Sequence, residues 1–169
     1  RTAVQYAEGA VADRWRKEHC ELVRLTAKRF LNDLKRAKRK NCAFYFSEEE
    51  GDNVCDFIEK MPHVAGSWDT PTLTLEPAQI FILVNVFGCR RKSDDRRRFT
   101  RAYIEVARKN AKSTLTAGIA LYCLTCEGEV GPEIIIGAST GAQADKVFKP
   151  AKDMANRLSA LREAFGLKV

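Results

Sequence analysis

The chain has 169 residues, of which 45% are hydrophobic and 30% are charged, which is typical of a soluble globular domain with a real core. No apolar run approaches the roughly 20 residues of a membrane-spanning helix, and no N-terminal signal pattern is present, so no membrane partner is expected. The net charge of +7 favours a polyanionic partner, nucleic acid first, over the alternative of a plain basic surface.

Six cysteines are spread along the chain, and we interpret them as reduced thiols of an intracellular protein. Cys123 and Cys126 form a C-x-x-C pair, but no second pair stands at the spacing of a zinc site. Buried packing is therefore the preferred role. Zinc or redox chemistry at Cys123 and Cys126 is the alternative.

The first third of the chain has helical periodicity. Apolar residues between Val23 and Leu34 fall on one stripe of a helix whose opposite face carries lysines and arginines. That basic face has three possible partners, which are DNA phosphates, another subunit and solvent. A second helix is predicted to begin at Ser47, because Glu50 stands at capping-box spacing, and to end at Pro62.

Residues 63–76 have no helical period and are predicted to form a loop. This loop is the candidate boundary between a helical segment at residues 1–75 and a core at residues 76–169. A buried helix is predicted from Pro77 to Gly88. Basic residues crowd the following stretch, RRKSDDRRRFTR, which is predicted to turn as a hairpin at its two aspartates.

Residues 101–107 are predicted to form an apolar strand, followed by a turn and a helix. The wholly apolar stretch at residues 133–137 (EIIIG) predicts a second strand that is covered on both faces. Strand, helix and strand make a βαβ unit with a right-handed crossover, so the two strands are expected to be parallel. A long helix is predicted over residues 141–165, with a kink at Pro150 and an end at Gly166.

The turn after the first strand holds the residues that carry chemistry. A phosphate loop needs backbone N–H groups around phosphate oxygens, a lysine for the outer phosphates and a hydroxyl for Mg²⁺. Lys112 stands at the start of the helix, where an ammonium opposes the helix dipole unless an anion also binds there. Ser113 is the candidate ligand of Mg²⁺. The other candidates add charge, backbone N–H groups or a hydroxyl: Arg108, Lys109, Asn110, Ala111 and Thr114.

Two positions depart from the usual G-x-x-x-x-G-K-[ST] pattern. Val106 and Ala111 stand where that pattern has glycine. The methyl group of Ala111 is expected to hinder the approach of the backbone to phosphate. From these residues alone, a plain basic strand-to-helix turn is an equal alternative.

Five segments in order resemble the large terminase subunit of tailed bacteriophages, namely LVRLTAKRFLNDL, MPHVAGSW, LEPAQIFILVNVFG, RAYIEVARKNAKSTLTAGIALY, and EIIIGAS through QADKVFKPAKDM. The resemblance implies an α/β fold, a RecA-like P-loop ATPase core with a partial parallel sheet, preceded by the helical segment. It implies that Lys112 and Arg108 are catalytic and that Gln79 lies on the adenine side. Val106 and Arg108 match the family's loop, whereas Ala111 replaces a common glycine and Ala78 a common aromatic residue.

The implied function is ATP-driven translocation of double-stranded DNA into a procapsid, with ATP and Mg²⁺ as cofactors. The implied partners are double-stranded DNA, the portal protein, a small terminase subunit and further copies in a pentameric ring. The implied location is the host cytoplasm and, transiently, the procapsid portal. The Walker-B carboxylate and an endonuclease part are expected beyond residue 169, so residues 1–169 alone are expected to hydrolyse ATP weakly or not at all.

Two alternative functions share parts of this pattern. Another P-loop translocase, such as a helicase, would have the same loop but not the segments LVRLTAKRFLNDL and MPHVAGSW. A non-catalytic basic DNA-binding module would keep its activity when Lys112 is replaced.

Overall fold

The computed structural model of the chain describes residues 1–13 and 17–168. Its elements in chain order are α1 (Thr2–Ala12), α2 (Glu21–Ala37), β1 (Phe44–Phe46), α3 (Glu48–Glu59), α4 (Pro77–Phe87), β2 (Cys89–Arg91), α5 (Lys112–Thr125), α6 (Gly141–Arg157) and α7 (Ser159–Phe165). None of these described helices is long and apolar enough to cross a membrane.

Contacts between residues divide the chain into two compact units that alternate along the sequence. The first comprises Arg1–Cys55 and Leu75–Tyr103, and the second comprises Asp56–Thr74 and Ile104–Val169. Helix α3 therefore contributes its first part to one unit and its last part to the other. The domain boundary predicted between residues 75 and 76 stays a prediction.

In the first unit, α1 packs against both α2 and α4. Its buried face consists of the alanines Ala3, Ala7 and Ala10, which recur at helical spacing and let the neighbouring helices approach closely. Phe81 of α4 lies beside Phe30 of α2, with ring centroids 5.5 Å apart in an edge-to-face arrangement that aromatic pairs prefer.

A two-stranded antiparallel sheet follows α4 directly, with Phe46 of β1 opposite Cys89 of β2. Gly88 ends α4, as the sequence predicts. Its carbonyl accepts a hydrogen bond from the Ser47 N–H at 2.8 Å. A Cβ at Gly88 would lie 2.7 Å from the Val84 carbonyl oxygen and 2.8 Å from the Phe46 ring, so this corner has room only for glycine.

The basic stretch after β2 turns as a hairpin, as predicted. The Arg91 N–H donates to the Arg96 carbonyl at 2.9 Å, and Asp95 at the tip has a left-handed φ of 56°. Asp94 pairs with Arg91 at 2.6 Å. Part of the positive charge in this stretch is therefore balanced by its own aspartates.

A buried carboxylate ties this hairpin to α2. The Asp33 side chain is buried and lies 2.8 Å from an Arg98 nitrogen, 3.1 Å from Arg36 and 3.6 Å from Arg29. The Arg98 guanidinium also lies 3.7 Å from the centroid of the Phe44 ring, within cation–π range. Three arginines of the basic surface therefore have a structural role around one carboxylate.

The second unit has its core where α5 packs against α6 and α7 packs against α6. Gly118 of α5 meets Ile58 of α3, since a Cβ there would lie 3.1 Å from the isoleucine side chain. Tyr122 packs edge-to-face on Phe57 with centroids 5.4 Å apart. The buried residues of this core are Met61, Ala117, Leu121, Met154, Ala155 and Leu161.

The predicted parallel strands are not present among the residues that the structure describes. Residues 101–107 and 132–138 carry no strand hydrogen bonds, and the described sheet is the antiparallel pair β1–β2. Their apolar side chains are exposed, with Tyr103 at 84% and Ile135 at 82%. A parallel strand buried on both faces needs neighbours for its N–H and C=O groups and for its side chains, and an apolar pattern alone does not supply them. The RecA-like parallel sheet is therefore not confirmed.

The prediction of one continuous helix over residues 141–165 is wrong, because the structure has two helices there, α6 and α7. Pro150 lies inside α6, and the break comes instead at Leu158, whose φ of −109° and ψ of 86° are not helical. Gly166 ends α7 with a left-handed φ of 61°, a conformation that glycine adopts without strain. That end is as predicted.

Candidate functional site

The turn before α5 has an unusual backbone. Lys109 and Ala111 both have positive φ, 68° and 49°, whereas Asn110 between them does not. Alternation of right-handed and left-handed residues creates a concavity of backbone N–H groups, an arrangement that binds anions. The turn and the helix after it are as the sequence predicts, whereas residues 101–107 before the turn form no strand.

The start of α5 lacks a side-chain cap. Ala111 is the N-cap residue, and its side chain has no oxygen that could accept a hydrogen bond from the first turn. The first helical hydrogen bond runs from the Leu115 N–H to the Ala111 carbonyl at 2.9 Å. The N–H groups of Lys112, Ser113 and Thr114 therefore have no partner within the helix, and the positive end of the helix dipole lies there. Both features favour an anion.

Lys112 folds back over its own turn. Its ammonium donates to the Val106 carbonyl at 2.7 Å and to the Ala107 carbonyl at 2.9 Å. An ammonium has three N–H donors, so one remains for an oxygen of a ligand. The Asn110 side-chain amide donates to the same Ala107 carbonyl at 3.2 Å. These contacts fix the lysine beside the unpaired N–H groups of α5.

The other cations of the turn are exposed. Arg108 and Lys109 are exposed and take part in no ion pair within residues 1–13 and 17–168. Their charge therefore adds to that of Lys112 at the same turn.

The Ser113 hydroxyl fits the role of a magnesium ligand. Ser113 and Thr114 are half-buried, and Ser113 follows Lys112 directly at the uncapped start of α5. No group of three or more histidine, cysteine, aspartate or glutamate side chains in the described part of the chain is arranged to hold a metal ion. The role of Ser113 as a ligand of Mg²⁺ stays a prediction.

Gln79 belongs to the first compact unit, whereas the turn belongs to the second. Its side-chain oxygen accepts a hydrogen bond from the Glu76 N–H at 2.9 Å. Glu76 is the N-cap of α4, so Gln79 completes a capping box there. The adenine-side role of Gln79 stays a prediction.

The C-x-x-C pair is not assembled into a metal site by the described residues. None of the six cysteines forms a disulfide, and Cys55 and Cys89 are buried while Cys20 and Cys126 are exposed. Burial raises the pKa of the Cys89 thiol, which keeps it protonated and unreactive. The buried-packing interpretation therefore holds for two of the six.

Sequence reasoning missed the residues of α6 that share a cavity with Ser113. Ser113 lines an open cavity of about 390 Å³ together with α6 residues Ala142, Asp145, Lys146, Lys149 and Pro150. The signal in the sequence was a pair of lysines three apart in the helix after the second apolar stretch. In the sequence, two such lysines look the same as those on a helix face that is exposed to solvent. Only the packing of α5 against α6 shows that they lie beside Ser113.

Comparison with known proteins gives one match. The family model for the terminase large subunit, ATPase domain, matches residues 77–164, which include Gln79 and the whole phosphate turn. No curated protein and no solved structure matches the chain. Because the matched residues are more than half of the chain, it belongs to the terminase large subunit ATPase domain family, whose fold is of the P-loop kind.

Proposed function

We propose that this chain binds Mg²⁺-ATP at the turn before α5 and that hydrolysis of this ATP drives double-stranded DNA into a procapsid. The observation that carries the proposal is the uncapped start of α5, where three backbone N–H groups lack helical partners and Lys112 is held beside them. Triphosphate oxygens would satisfy these donors. The family supports a DNA-packaging motor in general terms.

Each residue of the turn has a separate part in this proposal. Lys112 binds and orients the phosphates, and its two carbonyl contacts keep the ammonium in place before the ligand arrives. Arg108 supplies further positive charge for the reacting phosphate, while Lys109 and Asn110 shape the turn. Ser113 holds Mg²⁺, which neutralises phosphate charge when bound.

The wider machine is proposed from family membership. We infer that the protein acts as a ring of copies on the portal, with a small terminase subunit and an endonuclease activity in the complete enzyme. Its location in this proposal is the host cytoplasm, with transient residence on the procapsid. ATP-dependent retention of DNA by portal-bearing procapsids would support these partners, and its absence would count against them.

Titration of the protein with a non-hydrolysable Mg²⁺-ATP analogue tests the site. Lys112→Met removes the ammonium, so affinity is expected to fall by about tenfold or more, the scale of a charge-assisted contact to phosphate. Lys152→Met is the matched control, because Lys152 is an exposed lysine of α6 outside the turn. Equal affinity of the Lys112→Met variant and the unaltered protein would exclude this turn as the nucleotide site.

A further inference from the structure

An open cavity lies beside the second residue of α5. Its volume is about 390 Å³, and its wall consists of Ser113 and of residues from the first half of α6. The two helices pack against each other, which places the α6 lysines Lys146 and Lys149 on the same cavity as the proposed magnesium ligand. A ligand bound in this cavity can therefore contact both Ser113 and the lysines of α6.

The two lysines of this wall differ in their partners. Lys149 pairs with Asp145 at 3.3 Å, so its charge is already partly balanced. Lys146 is exposed and takes part in no ion pair within residues 1–13 and 17–168. Two ammonium groups and one carboxylate leave the wall with a net positive charge, and Lys146 is the residue that carries it.

We propose that Lys146 is a second phosphate-binding cation of the nucleotide site and that it binds a phosphate oxygen on the side of Ser113. This inference rests on the proposed function. Ser113 would hold Mg²⁺, and a phosphate oxygen beside its hydroxyl would lie next to the cavity that Lys146 also lines. Lys112 lies on the turn side, bonded to the Val106 and Ala107 carbonyls. The polyphosphate is then held between a cation from the turn and a cation from α6.

The ligand chemistry is a phosphate oxygen, which a nucleotide presents on its phosphoanhydride chain and DNA on its phosphodiester backbone. We assign it to the nucleotide because Ser113, on the same cavity, directly follows Lys112 at the uncapped start of α5. The experiment separates the two sources by measuring both ligands on the same variants.

The test compares Lys146→Met, Lys146→Arg and Lys152→Met in calorimetric titrations with a non-hydrolysable Mg²⁺-ATP analogue. Lys146→Met is expected to weaken binding roughly 5- to 10-fold, which is less than a full charge-assisted hydrogen bond because Lys146 is exposed to solvent. Lys146→Arg keeps the charge and is expected to stay within about twofold. Lys152 lies on α6 but not on this cavity, so Lys152→Met is expected to match the unaltered protein.

The second arm measures binding of a double-stranded DNA fragment by fluorescence anisotropy, and Lys146→Met is expected to leave it unchanged. Loss of DNA affinity with unchanged nucleotide affinity would overturn the assignment to nucleotide. Unchanged binding of both ligands by Lys146→Met, with binding abolished by Lys112→Met, would overturn this inference alone. Absence of nucleotide binding by the unaltered protein would overturn it together with the proposed function.

Discussion

Ala111 departs from the usual phosphate-loop sequence and also has a backbone conformation that favours glycine. The sequence places alanine where phosphate loops have glycine, and the structure puts that alanine in the left-handed region with a φ of 49°. A residue with a Cβ pays about 1 kcal/mol for this conformation. Two reasons therefore favour glycine at position 111, namely the left-handed backbone conformation and the space that a phosphate needs.

Ala111→Gly is expected to tighten binding of Mg²⁺-ATP by up to about fivefold, because it removes the methyl group from the place where a phosphate approaches the backbone. Calorimetric titration measures the change. Ala107→Gly is the matched control, since Ala107 lies in the same segment and has no positive φ. Equal or weaker binding by the Ala111→Gly variant would remove the idea that this methyl group hinders nucleotide.

At the level of the elements, short local signals predicted the ends of helices well. Ser47 caps α3 by accepting the Glu50 N–H at 3.1 Å, as the capping-box spacing predicts, and Pro77, Gly88 and Gly166 lie at helix ends as predicted. These features depend on residues close in sequence. The two apolar strands failed because a strand is defined by its neighbours. The turn that precedes α5 could be predicted from local sequence, and its role as a phosphate site stays a prediction. The position of Lys146 depends instead on the packing of α5 on α6.

The junction of α4 and β2 has no room for a side chain at Gly88. Gly88→Ala would place a Cβ 2.7 Å from a backbone oxygen that cannot move away without disrupting α4, so the free energy of unfolding is expected to fall by about 1–3 kcal/mol. Thermal unfolding followed by circular dichroism measures the loss.

Gly9→Ala is the contrasting control for this junction. Gly9 lies inside α1, and a Cβ there has nothing within 4 Å. Alanine at this helical position is expected to raise the free energy of unfolding by about 0.5–1 kcal/mol. A Gly88→Ala variant as stable as the unaltered protein would contradict the steric argument.

The basic residues of the whole molecule fall into two groups. Some form ion pairs within the fold, and others are exposed and could contact a polyanion. Arg29, Arg36 and Arg98 surround the buried Asp33. Lys28 and Lys35 of α2 are exposed and take part in no ion pair in the described part of the chain. Composition predicted the excess charge, but only the structure separates these two groups, because Asp33 meets Arg98 from a distant part of the sequence.

Affinity for double-stranded DNA is accordingly expected to fall steeply with salt, as each neutralised phosphate contributes about −0.9 to the slope of log K against log salt. The double variant Lys28→Gln, Lys35→Gln is expected to reduce that slope by about 2, as measured by fluorescence anisotropy. Lys60→Gln with Lys152→Gln removes the same charge from the second unit and serves as control. An unchanged slope in the α2 variant would exclude that face of α2 from the DNA contact.

The exposed apolar stretch at residues 133–137 has a consequence for handling the protein. Ile134 and Ile136 line a groove, while Ile135 between them is 82% exposed on a backbone without strand hydrogen bonds. Unpaired extended backbone with an apolar side chain is a template for pairing between molecules. Ile135→Lys is therefore expected to raise the concentration at which the chain stays monomeric in light scattering, without lowering its melting temperature. Loss of monomer is then expected to come from pairing between molecules at Ile135. It would depend on protein concentration more than on the free energy of unfolding of either unit.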